Sequence, residues 1–155
     1  MSGPILYATD FSPNSLPALR YASTLAAEAN AELYIVHVSE ALPTADNPSP
    51  LLLSPPAIIE AELSAQKNLE EVKPANGGVR CIRRVLHGDP ANEIIQFADE
   101  NDVELIVIGT HGRSGLLKLL MGSVAEAVVR DASCPVIVVK TPPDGEDGEA
   151  ADRSK

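Results

Sequence analysis

Seven residues, Gly109-Thr110-His111-Gly112-Arg113-Ser114-Gly115, place three glycines directly behind the apolar run Leu105–Ile108 (LIVI). Glycine lets a backbone come close to a ligand and adopt left-handed conformations, and successive N–H groups in such a turn can form an anion-binding nest. A further glycine, Gly122, precedes Ser123 at the start of a helix-like segment. Ser123-x-x-Glu126 has capping-box spacing, and a helix start offers unpaired N–H donors and a positive dipole end. The fitting chemistry is recognition of a phosphate group, although a glycine-rich loop and a capping box also occur where nothing binds. Asp10 closes the apolar run Ile5–Asp10 (ILYATD); a carboxylate there can accept hydrogen bonds from ribose hydroxyls or cap the helix that follows.

The elements that must position these groups alternate regularly. After Ile5–Asp10, Ser12-Pro13 signals a helix whose Leu16, Leu19, Ala22, Leu25 and Ala26 fall at helical spacing. Leu33–Val38 (LYIVHV) is a near-continuous β-rich run, as in a strand covered on both faces. The five prolines between Ala41 and Pro56 predict an irregular loop, Ala57–Val72 a helix, and Asn76-Gly77-Gly78 its terminating turn. Val79–Leu86 is strand-like, but Arg80, Arg83 and Arg84 put it near the sheet edge. Asp89-Pro90 supplies a cap and a first-turn proline for a helix that buries Ile94, Ile95, Phe97 and Ala98. Leu105–Ile108, a helix over Gly122–Ala132 and a last strand Val136–Val139 complete the series. Five strands separated by helices imply an α/β fold, an open doubly wound five-stranded parallel sheet with helices on both faces. Ligands of such sheets sit beyond the carboxyl ends of the strands, where strand order reverses.

Composition narrows the function. The chain has 155 residues, 22 acidic and 12 basic, for a formal charge of −10. That argues against a nucleic-acid partner, which requires clustered Lys and Arg, but not against a small phosphorylated ligand held by backbone N–H groups. Aromatic residues make up 3%, so the core is aliphatic. Two cysteines, Cys81 and Cys134, form neither a disulfide framework nor a metal-ligand pattern. No apolar run reaches the ~20 residues of a membrane span, and no secretion signal opens the chain. A cytoplasmic protein is expected. From Asp144 to Lys155 five acids face two bases, which reads as a disordered acidic tail after a single domain over residues 1–143.

Two familiar nucleotide motifs are absent. There is no Gly-x4-Gly-Lys-Ser/Thr string, and the spacing of Gly109 and Gly112 breaks GxGxxG, which would in any case follow the first strand. The pattern Gly109-x2-Gly112-x9-Gly122-Ser123 instead resembles the universal stress protein family, whose nucleotide-binding members carry Gly, two residues, Gly, nine residues, then Gly and Ser or Thr. ILYATDFSPNS, the HV ending of the second strand, HGDP before the third helix and CPVIVVK at the last strand resemble the family as well, from residue 4 to 140.

The resemblance implies a Rossmann-like fold of the adenine nucleotide alpha hydrolase type, with ATP, carried with Mg²⁺, bound between the first and fourth strands. Ala8, Thr9 and Asp10 would lie along the adenosine, with Val38 and Ile108 lining the adenine pocket. The backbones of Gly109, Gly112, Gly122, Ser123 and Val124 would hold the phosphates, with the Ser123 hydroxyl as a further contact; the family pattern leaves His111 and Arg113 open, and Arg113, inside the loop, is a secondary candidate to reach a phosphate. It also implies a homodimer through Val136–Val139, which is favoured over the alternative that Lys140 and the acidic tail shield that edge in a monomer. His37 is expected to be a satisfied core histidine, and His87 has no evident partner. Three functions stay open: an ATP-binding regulatory module acting in stress response on itself or on an unidentified protein partner, a slow ATP hydrolase using the same pocket, and a nucleotide-independent interaction protein. No Ser-His-Asp or Cys-His order suggests nucleophilic catalysis.

Overall fold

The computed structural model describes residues 2–40, 55–110 and 122–141. Its elements are β1 (Ile5–Ala8), α1 (Leu16–Ala29), β2 (Leu33–Ser39), α2 (Pro55–Glu71), β3 (Cys81–His87), α3 (Pro90–Glu100), β4 (Leu105–Gly109), α4 (Ser123–Asp131) and β5 (Val136–Val139). The strands form one five-stranded sheet in the order β3-β2-β1-β4-β5, with every pairing parallel. The chain first winds outward from β1 to β3, then returns to the other side of β1 for β4. Strand order therefore reverses between β1 and β4, as the doubly wound expectation requires.

Two aliphatic layers hold the helices against the sheet. Ile5, Tyr7, Leu33, Ile35 and Val107 meet Ala18, Leu19 and Ala22 of α1 and Leu69 of α2 on one face. Leu6, Val36, Ile106 and Ile108 meet Ala91 and Ile94 of α3 and Ala125 and Val128 of α4 on the other. Ile5, Leu6, Leu33, Ile35 and Ile106 are fully buried, each gaining about 1.5–3 kcal/mol from removal of its side chain from water. Central strands sandwiched this way read as unbroken apolar runs, which is why they stand out in the sequence.

Several boundaries differ from the pattern-based expectation. Pro55 and Pro56 belong to the first turn of α2 instead of the preceding loop; a first-turn proline lacks only a donor that has no intrahelical partner anyway. The same helix ends at Glu71, and the Asn76–Gly78 turn is a separate feature beyond it. Pro74 disfavours helical backbone at Lys73, and the guanidinium of Arg83 takes over the helix end, donating to the Leu69 carbonyl at 3.1 Å and the Val72 carbonyl at 2.6 Å. Arg80 pairs with Glu32 at 3.0 Å, and β3 is indeed an edge strand. The proline-rich residues 41–54 and the tail over 144–155 lie outside the described residues. None of the described helices is long and apolar enough to cross a membrane.

At α3 the Asp89 side chain accepts from the Asn92 N–H at 3.1 Å, with Pro90 in the first turn. Asp89→Ala is expected to lower stability by about 1 kcal/mol in urea denaturation without changing the fold.

Candidate functional site

β1 stops before its neighbours do. Ala8 is level with Val36, yet β2 continues to Ser39; Tyr7 is level with Val107, yet β4 continues to Gly109. The short central strand leaves a notch at the reversal of strand order, and a cleft of about 610 Å³ opens there. That size suits a ligand of nucleotide dimensions.

β1 ends two residues earlier than its apolar run: the Thr9 N–H still donates to the Val36 carbonyl at 2.9 Å, and beyond it side chains hold the backbone. Thr9 Oγ1 accepts from the Phe11 N–H at 3.0 Å, and Asp10 Oδ1 accepts from the Ser12 N–H at 2.9 Å. The Ser12 hydroxyl donates to the same Asp10 oxygen at 2.6 Å. Phe11 sits between them with φ 67°, in a left-handed conformation that costs a bulky residue about 1–3 kcal/mol. Asp10 therefore organises the turn before the helix without capping it; a 3-10 turn over Pro13–Ser15 leads into α1, and Ser12 is its cap residue. The turn is tied down from below by the buried Tyr7, whose hydroxyl donates to the Ser15 carbonyl at 2.9 Å. Gly109 faces the same loop: a Cβ on it would lie 3.3 Å from the Asn14 carbonyl oxygen, close enough that the loop would have to give by a few tenths of an ångström.

The start of α4 departs from the capping-box expectation. Gly122 is the cap residue, in extended backbone, and no side chain caps the helix. Ser123 is therefore the first helical residue and does not cap it. The Gly122 N–H is bonded to the Thr110 carbonyl, and the Gly122 carbonyl accepts from the Glu126 N–H at 2.9 Å. Between them the N–H groups of Ser123, Val124 and Ala125 lack an acceptor among the described residues and open into the cleft that these residues line. First-turn donors left this way suit an anion.

Of the expected residues, Ala8, Thr9, Asp10, Val38, Ile108, Gly109, Gly122, Ser123 and Val124 all line this one cleft. Gly112 and Arg113, with His111, lie outside the described residues. The cleft also brings in residues that pattern reading missed. His37, expected as a core histidine, lines it; its Nδ1 carries a proton donated to the Thr9 carbonyl at 2.9 Å, and its ring packs on Phe11 at 4.3 Å. Thr110 is buried at the cleft wall, and its hydroxyl has no partner among the described residues. Its place right behind Gly109 was the available signal. His87, for which no partner was evident, pairs through Nε2 with Glu62 at 3.2 Å, outside the cleft lining. The described lining contains Asp10 and Glu40 but no Lys or Arg.

Topology and cleft together define a doubly wound α/β protein with a cleft at its switch point, Rossmann-like and of the adenine nucleotide alpha hydrolase type. A model of the universal stress protein family matches residues 1–140. A universal stress protein of Methanocaldococcus jannaschii is 40% identical over 143 residues, covering 89% of this chain and 82% of its own. The solved universal stress protein of Archaeoglobus fulgidus in complex with dAMP is 29% identical with a TM-score of 0.62, covering 88% of this chain and 97% of that one. A universal stress protein solved in complex with cAMP is 28% identical with a TM-score of 0.61, covering 91% and 98%. The chain belongs to the universal stress protein family.

Burial pushes the Tyr7 phenol above its ordinary value of 10.0, with hydrogen bonds to Ser15 and Thr9 pulling the other way. The folded state keeps this proton where the unfolded chain releases it, so Tyr7 contributes stability below pH 10.0 that fades as pH rises toward the folded value. Tyr7→Phe is expected to cost about 1 kcal/mol at neutral pH, through the lost donor to Ser15, and to flatten the alkaline decline. Urea denaturation at neutral pH and near pH ~11 checks both.

Proposed function

We propose that this protein binds an adenine nucleotide, ATP carried with Mg²⁺, and works as a nucleotide-dependent regulatory module. The observation that carries this reading is the uncapped start of α4, with the Ser123, Val124 and Ala125 N–H groups opening into the cleft that Asp10 also lines. One end of such a cleft suits phosphate and the other ribose. Val38 and Ile108, both packed with the α3–α4 layer, offer an apolar wall to a base. The relatives solved with dAMP and cAMP support an adenine ligand of this class.

The donors of the first loop favour one orientation. The Phe11 and Ser12 N–H groups are already held by Thr9 and Asp10, and the Ser15 N–H by the Ser12 carbonyl at 3.1 Å. Phosphate therefore belongs at α4 and the β4 loop, where Gly112 and Arg113 would add to it. With Asp10 and Glu40 as the carboxylates of the described lining, Mg²⁺ would arrive on the phosphates and offset their charge. Regulation fits better than turnover because hydrolysis needs a positioned water and an organised metal, for which the described lining offers the carboxylates of Asp10 and Glu40. Self-association belongs to the same reading: β5 lies at the sheet edge, so Val136–Val139 can pair with a second copy in the cytoplasm.

Gly122→Asp separates binding from folding. An aspartate at the cap position would occupy the first-turn donors and repel phosphate, while keeping or slightly raising stability, by a few tenths of a kcal/mol. Calorimetric titration with Mg-ATP is expected to show binding to the wild type and at least ~100-fold weaker binding to the variant. Unchanged affinity in a folded variant would contradict the phosphate assignment.

A further inference from the structure

We infer that His87 and Glu62 form a latch that holds the N-terminal half of α2 against the sheet, and that this half-helix, as one wall of the cleft, governs how fast a bound nucleotide leaves. The second part rests on the adenine-nucleotide reading above; the latch itself does not.

α2 is fastened unevenly. Its C-terminal half is anchored twice, by the buried side chains of Ala65 and Leu69 and by the Arg83 guanidinium on the Leu69 and Val72 carbonyls. Over residues 55–64 no side chain is buried, and Ile59 and Leu63 are each 61% exposed. Yet Ala61, Ser64, Ala65 and Asn68, at helical spacing on one face of this helix, line the cleft. A wall that buries so little area opens locally at small cost unless something else holds it.

Glu62 supplies that hold. It follows Ala61 and pairs at 3.2 Å with Nε2 of His87, the last residue of β3. The two partners differ in firmness. His87 is level with Ser39 in the β2–β3 ladder, and the next N–H, of Gly88, donates to the Ser39 carbonyl at 3.2 Å. The imidazole thus stands on the sheet, beside a strand end that lines the cleft, while the carboxylate rides on the loosely packed half of the helix. Nε2 carries the hydrogen of this contact, because an ionised carboxylate only accepts. His87 Nδ1 is buried without a partner among the described residues, so Glu62 is the ring's hydrogen-bond partner there. Side-chain exposures of 32% and 26% shield the pair from much of the water that weakens surface ion pairs.

Amide hydrogen exchange of the full chain tests the latch without any ligand. Glu62→Ala should speed exchange over residues 59–64 by about five- to tenfold and leave residues 67–71 near wild type. Alanine is the better helix former, so helix propensity does not account for such loosening. Glu62→Gln, which keeps an acceptor for the Nε2 hydrogen, should stay within about twofold of wild type. In stopped-flow displacement of bound Mg-ATP, Glu62→Ala should release the nucleotide about five- to tenfold faster, with little change in its association rate. Unchanged exchange over residues 59–64, equal acceleration of both halves of α2, or equal loosening by Gln and Ala would overturn the latch. Faster exchange with unchanged release overturns the role of the wall. A wild type that does not bind Mg-ATP contradicts the nucleotide reading and the release step with it, while the exchange pattern still decides the latch.

Discussion

Helix α4 begins on a residue that has no side chain, and the rest of the site depends on that omission. A helix start exposes N–H donors that most sequences satisfy with Ser, Thr, Asp or Asn at the cap position. Here the position is Gly122, and the donors that follow it face the cleft. The opposite wall has the reverse character. Its N–H groups at Phe11 and Ser12 are taken by the side chains of Thr9 and Asp10, which leaves that wall with acceptors. One side offers donors and the other acceptors, a division that distinguishes the phosphate end of a nucleotide from its sugar end.

The fold supplies the space for this division through one short strand. β1 stops at Ala8 while both neighbouring strands run further, and the chain that leaves it turns sharply through the left-handed Phe11. Two tethers keep the turn from collapsing into the notch. Tyr7 holds Ser15 from within the buried layer, and the Thr141 hydroxyl, beyond β5, holds the Asn14 carbonyl at 2.8 Å. Gly109 lets β4 pass the same carbonyl closely. The Thr141 tie joins the cleft to the edge strand where a second copy would pair, so the two proposed roles share a structural element.

The sheet was legible in the sequence because its strands are covered on both faces, and unbroken runs such as LIVI and LYIVHV leave few alternatives. The cap of α3 was equally readable, since Asp89-Pro90 is a local device. What escaped was decided by contacts distant in sequence. The end of α2 is met by Arg83, 14 residues beyond Leu69. Ser123 shows the limit of motif spacing: Ser123-x-x-Glu126 fits a capping box, but the backbone turns one residue earlier, which changes Ser123 from a cap to a lining residue. His37 was assigned to the core because its strand is buried, although its position near the strand end brings it to the cleft. Expectations for Gly112, Arg113 and the tail rest on residues outside the described structure.

Backbone amide resonances report the division of donors directly. On titration of ¹⁵N-labelled protein with Mg-ATP, the N–H signals of Ser123, Val124 and Ala125 should move downfield as they acquire a phosphate acceptor, while those of Phe11 and Ser12 stay hydrogen-bonded to Thr9 and Asp10 and shift little. Large downfield shifts at Phe11 and Ser12, with the first turn of α4 unmoved, would contradict the account.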